Sequence, residues 1–411
     1  MRARTLRARR GDPSRAGVAI RHVVAALGIC LTALCGCTRA DSAPAPEGGP
    51  DPPRQASAGR SAEETASWPL FRADPLASGV ARGELPEKLR VLWTFALDKG
   101  WFESTAAIVD GTVYVGSTDG NLYAVNLADG KKKWEFHTEA GFTASPAVRN
   151  GLVYLGDSYG KFYCVDAQTG KQKWSFETEA EINSSANFYG KNVLFGSQDS
   201  FLYCLEADTG RVVWKYESED QIRCFPTIVD DRGFVAGCDG RLHVVDLAGG
   251  KPAAEVDLEG PTGTTPAVLE SMVFVGTEGG VFFAIDWKEA KVVWTYQNPE
   301  RQLPYRSSAA VAEEAVIVGS RDKRLRAFDP KTGRELWAFS TRGQVDSSPV
   351  IVAGRVFVGS DDGHLYAVDR KTGKEVWRHE LGGSLLASPA VAAGRLVIGT
   401  DDGDLVCFGG D

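Results

Sequence analysis

GRVFVGSDDGHLYAVDRKTGKEVW, residues Gly354–Trp377, decides how this 411-residue chain is read, because close copies of it fill almost everything after residue 90. Aligned on the final tryptophan, the copies end at Trp93, Trp134, Trp174, Trp214, Trp294, Trp337 and Trp377, with steps of 41, 40, 40, 80, 43 and 40 residues. The double step hides a copy ending at Ala254. Each copy carries an apolar run such as Val356–Val358, a turn at Asp361–Gly363, a second run at Leu365–Val368, then Thr372-Gly373 and the tryptophan. That order predicts strand, hairpin, strand, turn, strand.

A further short strand precedes each unit, as in Ser348-Pro349-Val350-Ile351, so one repeat of about 40 residues supplies four strands, the content of a propeller blade. The runs are apolar at consecutive positions, which suits sheets covered on both faces by neighbouring blades. Inner-strand starts at Ala106, Pro146, Ala186, Pro226, Pro266, Ala309, Pro349 and Pro389 give an all-β, eight-bladed propeller. The last blade stops before any tryptophan, and an orphan strand at Arg90–Phe95 precedes the first. The N-terminal strand is therefore expected to complete the last blade and close the ring, removing free edges.

The unit Tyr366-Ala367-Val368-Asp369 followed by Thr372-Gly373 and Trp377 resembles the tryptophan-docking repeat of the pyrroloquinoline quinone (PQQ) dehydrogenase-like propellers, whose eight-bladed members include outer membrane assembly lipoproteins of the BamB type. The resemblance covers residues 67–411. It implies either a non-catalytic scaffold that docks envelope proteins, barrel-assembly machinery among them, or a quinoprotein dehydrogenase. In the enzymes PQQ sits over the channel mouth, with calcium held by carboxylate and amide ligands, a catalytic aspartate and usually a vicinal disulfide. Here no two cysteines of the expected mature chain are adjacent and the loops are short. Glu103, Asn183 and Asp346 alone stand where such ligands could be. The expectation is no cofactor and no catalytic residue, with PQQ and calcium as the alternative.

Residues 1–36 hold seven arginines, one aspartate and an apolar stretch from Val23 to Leu34, a secretory signal too short to span a bilayer. Leu34-Cys35-Gly36-Cys37 resembles a lipobox, which makes Cys37 the expected lipidation site; an ordinary cleaved signal is the alternative. Residues 37–66, rich in Ala, Pro, Ser and Gly, read as the lipidated cysteine and a disordered tether. Taking the signal's +6 from the net −8 leaves −14 for the remainder, which argues against a nucleic-acid partner. The expected protein is a monomeric propeller anchored by lipid alone, at the periplasmic face of the outer membrane, with extracellular placement as the alternative.

Trp68 and Phe71, in the segment leading into the repeats, are expected to be buried fillers at the rim. The seven docking tryptophans read as wedges between blades. Blade 4 ends in Ala254, and blade 5 carries Trp287-Lys288-Glu289-Ala290 where others have Thr-Gly; these seams are expected to be the weakest, or adapted to a partner. Cys164, Cys204 and Cys407 share a column with alanines and read as buried apolar residues. Cys224 and Cys238 fall near one another in blade 4 and could form a disulfide in an exported protein. Gly156–Gly160 matches G-x-S-x-G but aligns with a hairpin turn, so it is no nucleophile elbow. The Asp-Gly pairs are turn chemistry, and the histidines show no metal spacing.

One face remains as the candidate site. The residue three before each inner-strand start gives Glu103, Thr143, Asn183, Arg223, Gly263, Arg306, Asp346 and Leu386, a ring expected around one mouth of the channel. The next column, Ser104, Ala144, Ser184, Cys224, Thr264, Ser307, Ser347 and Ala387, is small and is expected to leave an open funnel. Trp101 and Tyr305 lie on adjoining loops. Aromatic and arginine side chains on a rigid scaffold suit protein binding, solvated loop tips being the bland alternative. A small-molecule or glycan sensor is a third reading.

Overall fold

A computed structural model of the chain describes residues 67–410; the expected signal, Cys37 and tether lie outside the described residues. Within them, the apolar runs form the two central strands of eight four-stranded antiparallel sheets, seven of them ordered as in the chain. In the blade containing the opening stretch, the inner strand Val350–Val352 pairs with Arg355–Gly359, that with His364–Asp369, and that with Glu375–Glu380. Central-strand residues are buried at consecutive positions, as two-sided cover requires. The eighth blade takes its outer strand from the other end of the repeats. Arg90–Ala96 pairs antiparallel with Asp404–Gly409, so the ring closes as the orphan strand implied.

A bulge recurs in the outer strand of every blade, beside the docking position. An extra residue twists the strand locally and re-aims the next side chain, here toward the following blade. Trp134 then donates its indole N–H to the Ala167 carbonyl, Trp174 to Ala207, Trp214 to Leu247 and Trp337 to Arg370, at 2.9–3.1 Å. Trp93 and Trp294 do the same to Leu127 and Pro330. Facing each of these six rings is the glycine that closes the turn before the next blade's outer strand, preceded by threonine in four of them. A Cβ on Gly130, Gly170, Gly210, Gly250, Gly333 or Gly373 would lie 2.5–2.8 Å from the indole, and each glycine has φ between 62° and 73°. Only glycine satisfies both demands at once.

The two irregular blades answer each other across their shared seam. With Ala254 in place of the tryptophan, the facing turn has room for a side chain, and Ala290 occupies it at φ 50°. Trp287 of blade 5 packs back into the space, edge-to-face on Phe234 of blade 4 (5.4 Å), and donates to the Glu270 carbonyl. Ala254, Trp287 and Ala290 belong to one apolar cluster. The wedge is retained and comes from the opposite side.

The aspartates of the hairpin turns, in Asp-Gly pairs and elsewhere, are structural too. Asp119, Asp157, Asp199 and Asp362 each accept the hydroxyl of a buried tyrosine on the next strand, at 2.6–2.9 Å. In blade 4 His243 replaces the tyrosine on Asp239, and in blade 6 the fully buried Arg326 pairs with Asp322.

The leading segment does more than sit at the rim. Its backbone runs around the channel, bonding Ile108, Val148, Ile228, Val268, Val311 and Ile351, the same inner-strand position in six blades. Trp68 is fully buried, as expected, and Phe71 partly so. The channel is thereby closed on one side and left open as a cup on the other.

Candidate functional site at the channel mouth

Because every inner strand enters the ring from the same side, the column three residues before it converges there. All eight expected residues, Glu103, Thr143, Asn183, Arg223, Gly263, Arg306, Asp346 and Leu386, line the cup. The outer part encloses about 530 Å³ and the deeper part about 190 Å³, floored by Phe71 and Phe225.

The side chains lining the deeper part are not those expected. Ser104, Ser184, Thr264, Ser307 and Ser347 are buried within the blades, where their hydroxyls accept the N–H of a glycine on the second strand. Cys224 takes the same place, its Sγ accepting the Ala236 N–H at 3.3 Å. The lumen belongs to the following column: Thr105, Ser145, Ser185, Phe225, Thr265, Ser308, Ser348 and Ser388. Inner strands are twisted, and a one-residue shift exchanges wall for lumen.

These hydroxyls form a belt. The backbone N–H of Thr105 donates to Ser145 Oγ, Ser145 to Ser185, Thr265 to Ser308, Ser308 to Ser348, Ser348 to Ser388, and Ser388 back to Thr105, at 2.9–3.2 Å. Phe225 donates to Thr265 but offers no acceptor, so the belt is broken once, between blades 3 and 4. Beneath it Arg72, 1% exposed, donates from Nη2 to the Ala309 and Pro349 carbonyls of blades 6 and 7, while its Nε and Nη1 have no partner. Desolvation pushes its pKa down to about 9 against the pull of Asp74.

At the mouth the acids and arginines are mostly engaged. Arg321 clamps Asp346 through three contacts of 2.5–3.1 Å, which raises the arginine's pKa. Arg306 pairs with Glu278 at 3.1 Å, and Arg223 reaches Gln221 and Gln198. Asn183 donates to Thr143 and Glu181 and accepts from Gln198. Trp101 is 42% exposed, its indole N–H held by Glu103 at 2.8 Å. Burial raises the carboxyls of Asp361 and Asp401, with Asp346 and Asp402 respectively adding like charge.

Two expectations are corrected. Tyr305 is no loop-tip binder: at 2% exposure it packs under Gly276 and Phe282 in the column that elsewhere holds Phe102, Phe142 and Ile182. Cys224 and Cys238 are both free thiols. Cys224 is committed to its backbone hydrogen bond, and burial pushes it up to about 12; burial likewise raises the half-buried Cys238.

Arg321, Gln198, Glu278, Asp361 and Asp401 were missed because they sit in the second-to-third-strand hairpin, a second loop family reaching the same mouth. The signal was present as the repeat column Thr118, Ser158, Gln198, Cys238, Glu278, Arg321, Asp361 and Asp401.

The stand-ins for a quinone–calcium site do not fit that role. Asp346 is neutralised by Arg321 and Asn183 has both amide atoms engaged; among the described residues no three carboxylate, thiol or imidazole groups converge as metal ligands.

A profile described as outer membrane protein assembly factor BamB matches residues 87–223, 198–342 and 321–409, more than three quarters of the chain. The chain belongs to this PQQ-repeat propeller family. Among solved structures, BamB from Moraxella catarrhalis superposes with a TM-score of 0.68 at 22% identity, over 79% of this chain and 98% of that one. The quinohemoprotein alcohol dehydrogenase from Comamonas testosteroni gives 0.74 at 15% identity, over 86% and 82%. At those identities the likeness is one of fold. The 1-butanol dehydrogenase (cytochrome c) of Thauera butanivorans is 32% identical over 148 residues, 29% of this chain and 21% of the enzyme, so the chain spans about a fifth of that relative.

Proposed function

We propose that this member of the BamB family is a non-catalytic, lipid-anchored envelope propeller whose channel-mouth face docks other envelope proteins, outer-membrane assembly components among them. The observation that supports the reading is the state of the mouth. Its would-be ligands Asp346 and Asn183 are bound to protein partners, while Trp101 and Arg223 stand exposed on short turns of a rigid ring. An aromatic fixed by its bond to Glu103 and, across the mouth, an arginine held by Gln221 lose little entropy on binding, as interface anchors do. Lipidation at Cys37 and a periplasmic, outer-membrane location complete the reading.

The test is recovery of the lipidated protein from solubilised envelope after mild cross-linking, with partners identified by mass spectrometry. Loss of outer-membrane assembly components with Trp101→Ala plus Arg223→Ala, at unchanged melting temperature, supports the dock. Unchanged recovery by that variant sinks it.

The local identity to quinoprotein dehydrogenases favours a second reading, a PQQ- and calcium-dependent enzyme. Dye reduction with an alcohol, dependent on both additions, is its readout.

A further inference from the structure

The second-to-third-strand hairpin of blade 2 departs from the repeat in a way that frees one side chain. In blades 1, 3 and 7 the residue two before the third strand is Asp119, Asp199 or Asp362, and one of its oxygens accepts the hydroxyl of Tyr123, Tyr203 or Tyr366. Its other oxygen caps the N–H that opens the strand. In blade 2 the aspartate has moved back two places. Asp157 accepts the Tyr163 hydroxyl and the N–H groups of Tyr159 and Lys161, so both duties are met. The fold asks nothing of the side chain at 159, yet a tyrosine stands there, 75% exposed, more than any other large hydrophobic residue described.

Tyr159 lines a groove of about 390 Å³ between blades 1 and 2. The groove already holds one cation between an aromatic ring and a carboxylate: Lys161 lies over Tyr163 at 5.8 Å and meets Glu177 at 3.3 Å. Blade 1 builds the same trio from Lys132, Tyr123 and Glu135. Tyr159 and Glu139 supply a second aromatic and a second carboxylate to the groove without a cation. Among the described residues neither side chain has a hydrogen-bond, ion-pair or ring partner. Three carboxylates, Glu139, Asp157 and Glu177, face the single lysine, and His137 is bonded to Asn121. An open ring face and an unpaired carboxylate both attract positive charge, one through the ring quadrupole and the other through Coulomb attraction.

We infer that this groove receives a lysine or arginine side chain from a basic segment of a partner protein, on the Tyr159 face and beside Glu139. Tyr159 belongs to the hairpin family that carries Arg321, Asp361 and Asp401 to the channel mouth, so it stands on the docking side of the ring. The inference names the chemistry of the docked partner and to that extent rests on the docking reading.

The test is fluorescence polarisation of a fluorescein-labelled hexa-arginine peptide titrated with the full chain, against hexaglutamate, at about 150 mM salt to screen diffuse surface attraction. Saturable binding of the basic peptide alone is expected. Tyr159→Ser, at unchanged net charge and melting temperature, should weaken it about two- to fivefold, the loss expected for an exposed cation–π contact. Tyr159→Phe should retain the affinity and Glu139→Gln should lower it. A Tyr159→Ser that binds as tightly as the parent overturns the inference and leaves the mouth to its own cross-linking test. Peptide binding that needs Tyr159, in a protein that recovers no envelope partner, supports the cation site while the mouth reading fails. Saturable binding of chitotriose in place of the peptide, lost in Tyr159→Ser, assigns the groove to a glycan and overturns the inference. So does the absence of saturable peptide binding up to about 1 mM.

Discussion

If Trp287 replaces the missing wedge of blade 4, three substitutions at one seam must behave as a set. Truncating a buried tryptophan costs roughly 3–5 kcal/mol, and because Trp287 is half-buried about 2–3 kcal/mol is expected for Trp287→Ala. Ala254→Trp alone restores the consensus residue yet should destabilise by about 1–3 kcal/mol, because the new indole meets both the Ala290 Cβ and Trp287. At the six regular seams the facing glycine leaves a Cβ no more than 2.8 Å from the ring. Ala290→Gly removes that obstacle and relieves an alanine held at φ 50°, worth about 1 kcal/mol. The combined Ala254→Trp, Trp287→Ala, Ala290→Gly variant should therefore return to within about 1 kcal/mol of the parent, with strong non-additivity against the singles. Midpoints of urea denaturation, read at unchanged slope, supply the free energies. A Trp287→Ala cost below about 0.5 kcal/mol, or singles that simply add up in the triple variant, would refute the exchange.

Two further outcomes follow from the mouth and its supports. Cys224→Ser should cost under about 1 kcal/mol, since serine or threonine fills the same position in five other blades, and unreduced mass spectrometry should count both Cys224 and Cys238 as free thiols; a bridged species contradicts the assignment. Burial raises Asp361 and Asp401 above their ordinary 3.8, so the fold holds their protons more tightly than the unfolded chain and loses stability as pH climbs through that raised range. Asp361→Asn and Asp401→Asn should accordingly gain melting temperature relative to the parent between about pH 4 and pH 7, where a flat difference would contradict the shift.

What could be read from the chain was whatever repeats. Period, strand count, ring closure and the eight-residue mouth column all follow from aligning copies, because equivalent positions in a propeller are equivalent in space. Side-chain direction within the inner strand was not legible in the same way. Ser104, Cys224 and Ser347 are wall rather than the expected lumen, and both columns are composed of small residues, so composition carries no phase. Tyr305 was read as a loop residue because the insertion at 298–306 breaks the period; counted back from Ala309 it falls into the Phe102–Phe142 core column. Trp287 and Ala290 were separately visible as anomalies. Their complementarity with Ala254 was hidden because it lies on the neighbouring blade and meets them only across a seam. Arg72 lies outside the repeats altogether, so no column could flag it.

The mouth's charges are unevenly distributed, although Glu181 of blade 3 and Glu278 of blade 5 stand to either side of Arg223. Arg223, Arg306 and Arg321 come from blades 4 and 6, while Asp346, Asp361, Asp401 and Glu103 come from blades 7, 8 and 1. Arg321 to Asp346 and Arg306 to Glu278 cancel part of that charge internally, leaving Arg223 with Glu181 on one side and Asp361, Asp401 and Glu103 on the other. A divided rim of this kind contributes little net affinity, because exposed pairs are screened and each partner charge must be desolvated. If the mouth is the proposed dock, such a rim would act on orientation, steering a partner of complementary polarity into one rotation about the eightfold-like axis that the near-identical blades would otherwise leave ambiguous. The break of the hydroxyl belt at Phe225 and the exposed Trp101 mark the same asymmetry in uncharged form. In a ring built from repeats, the departures from the repeat are what a specific partner has to recognise.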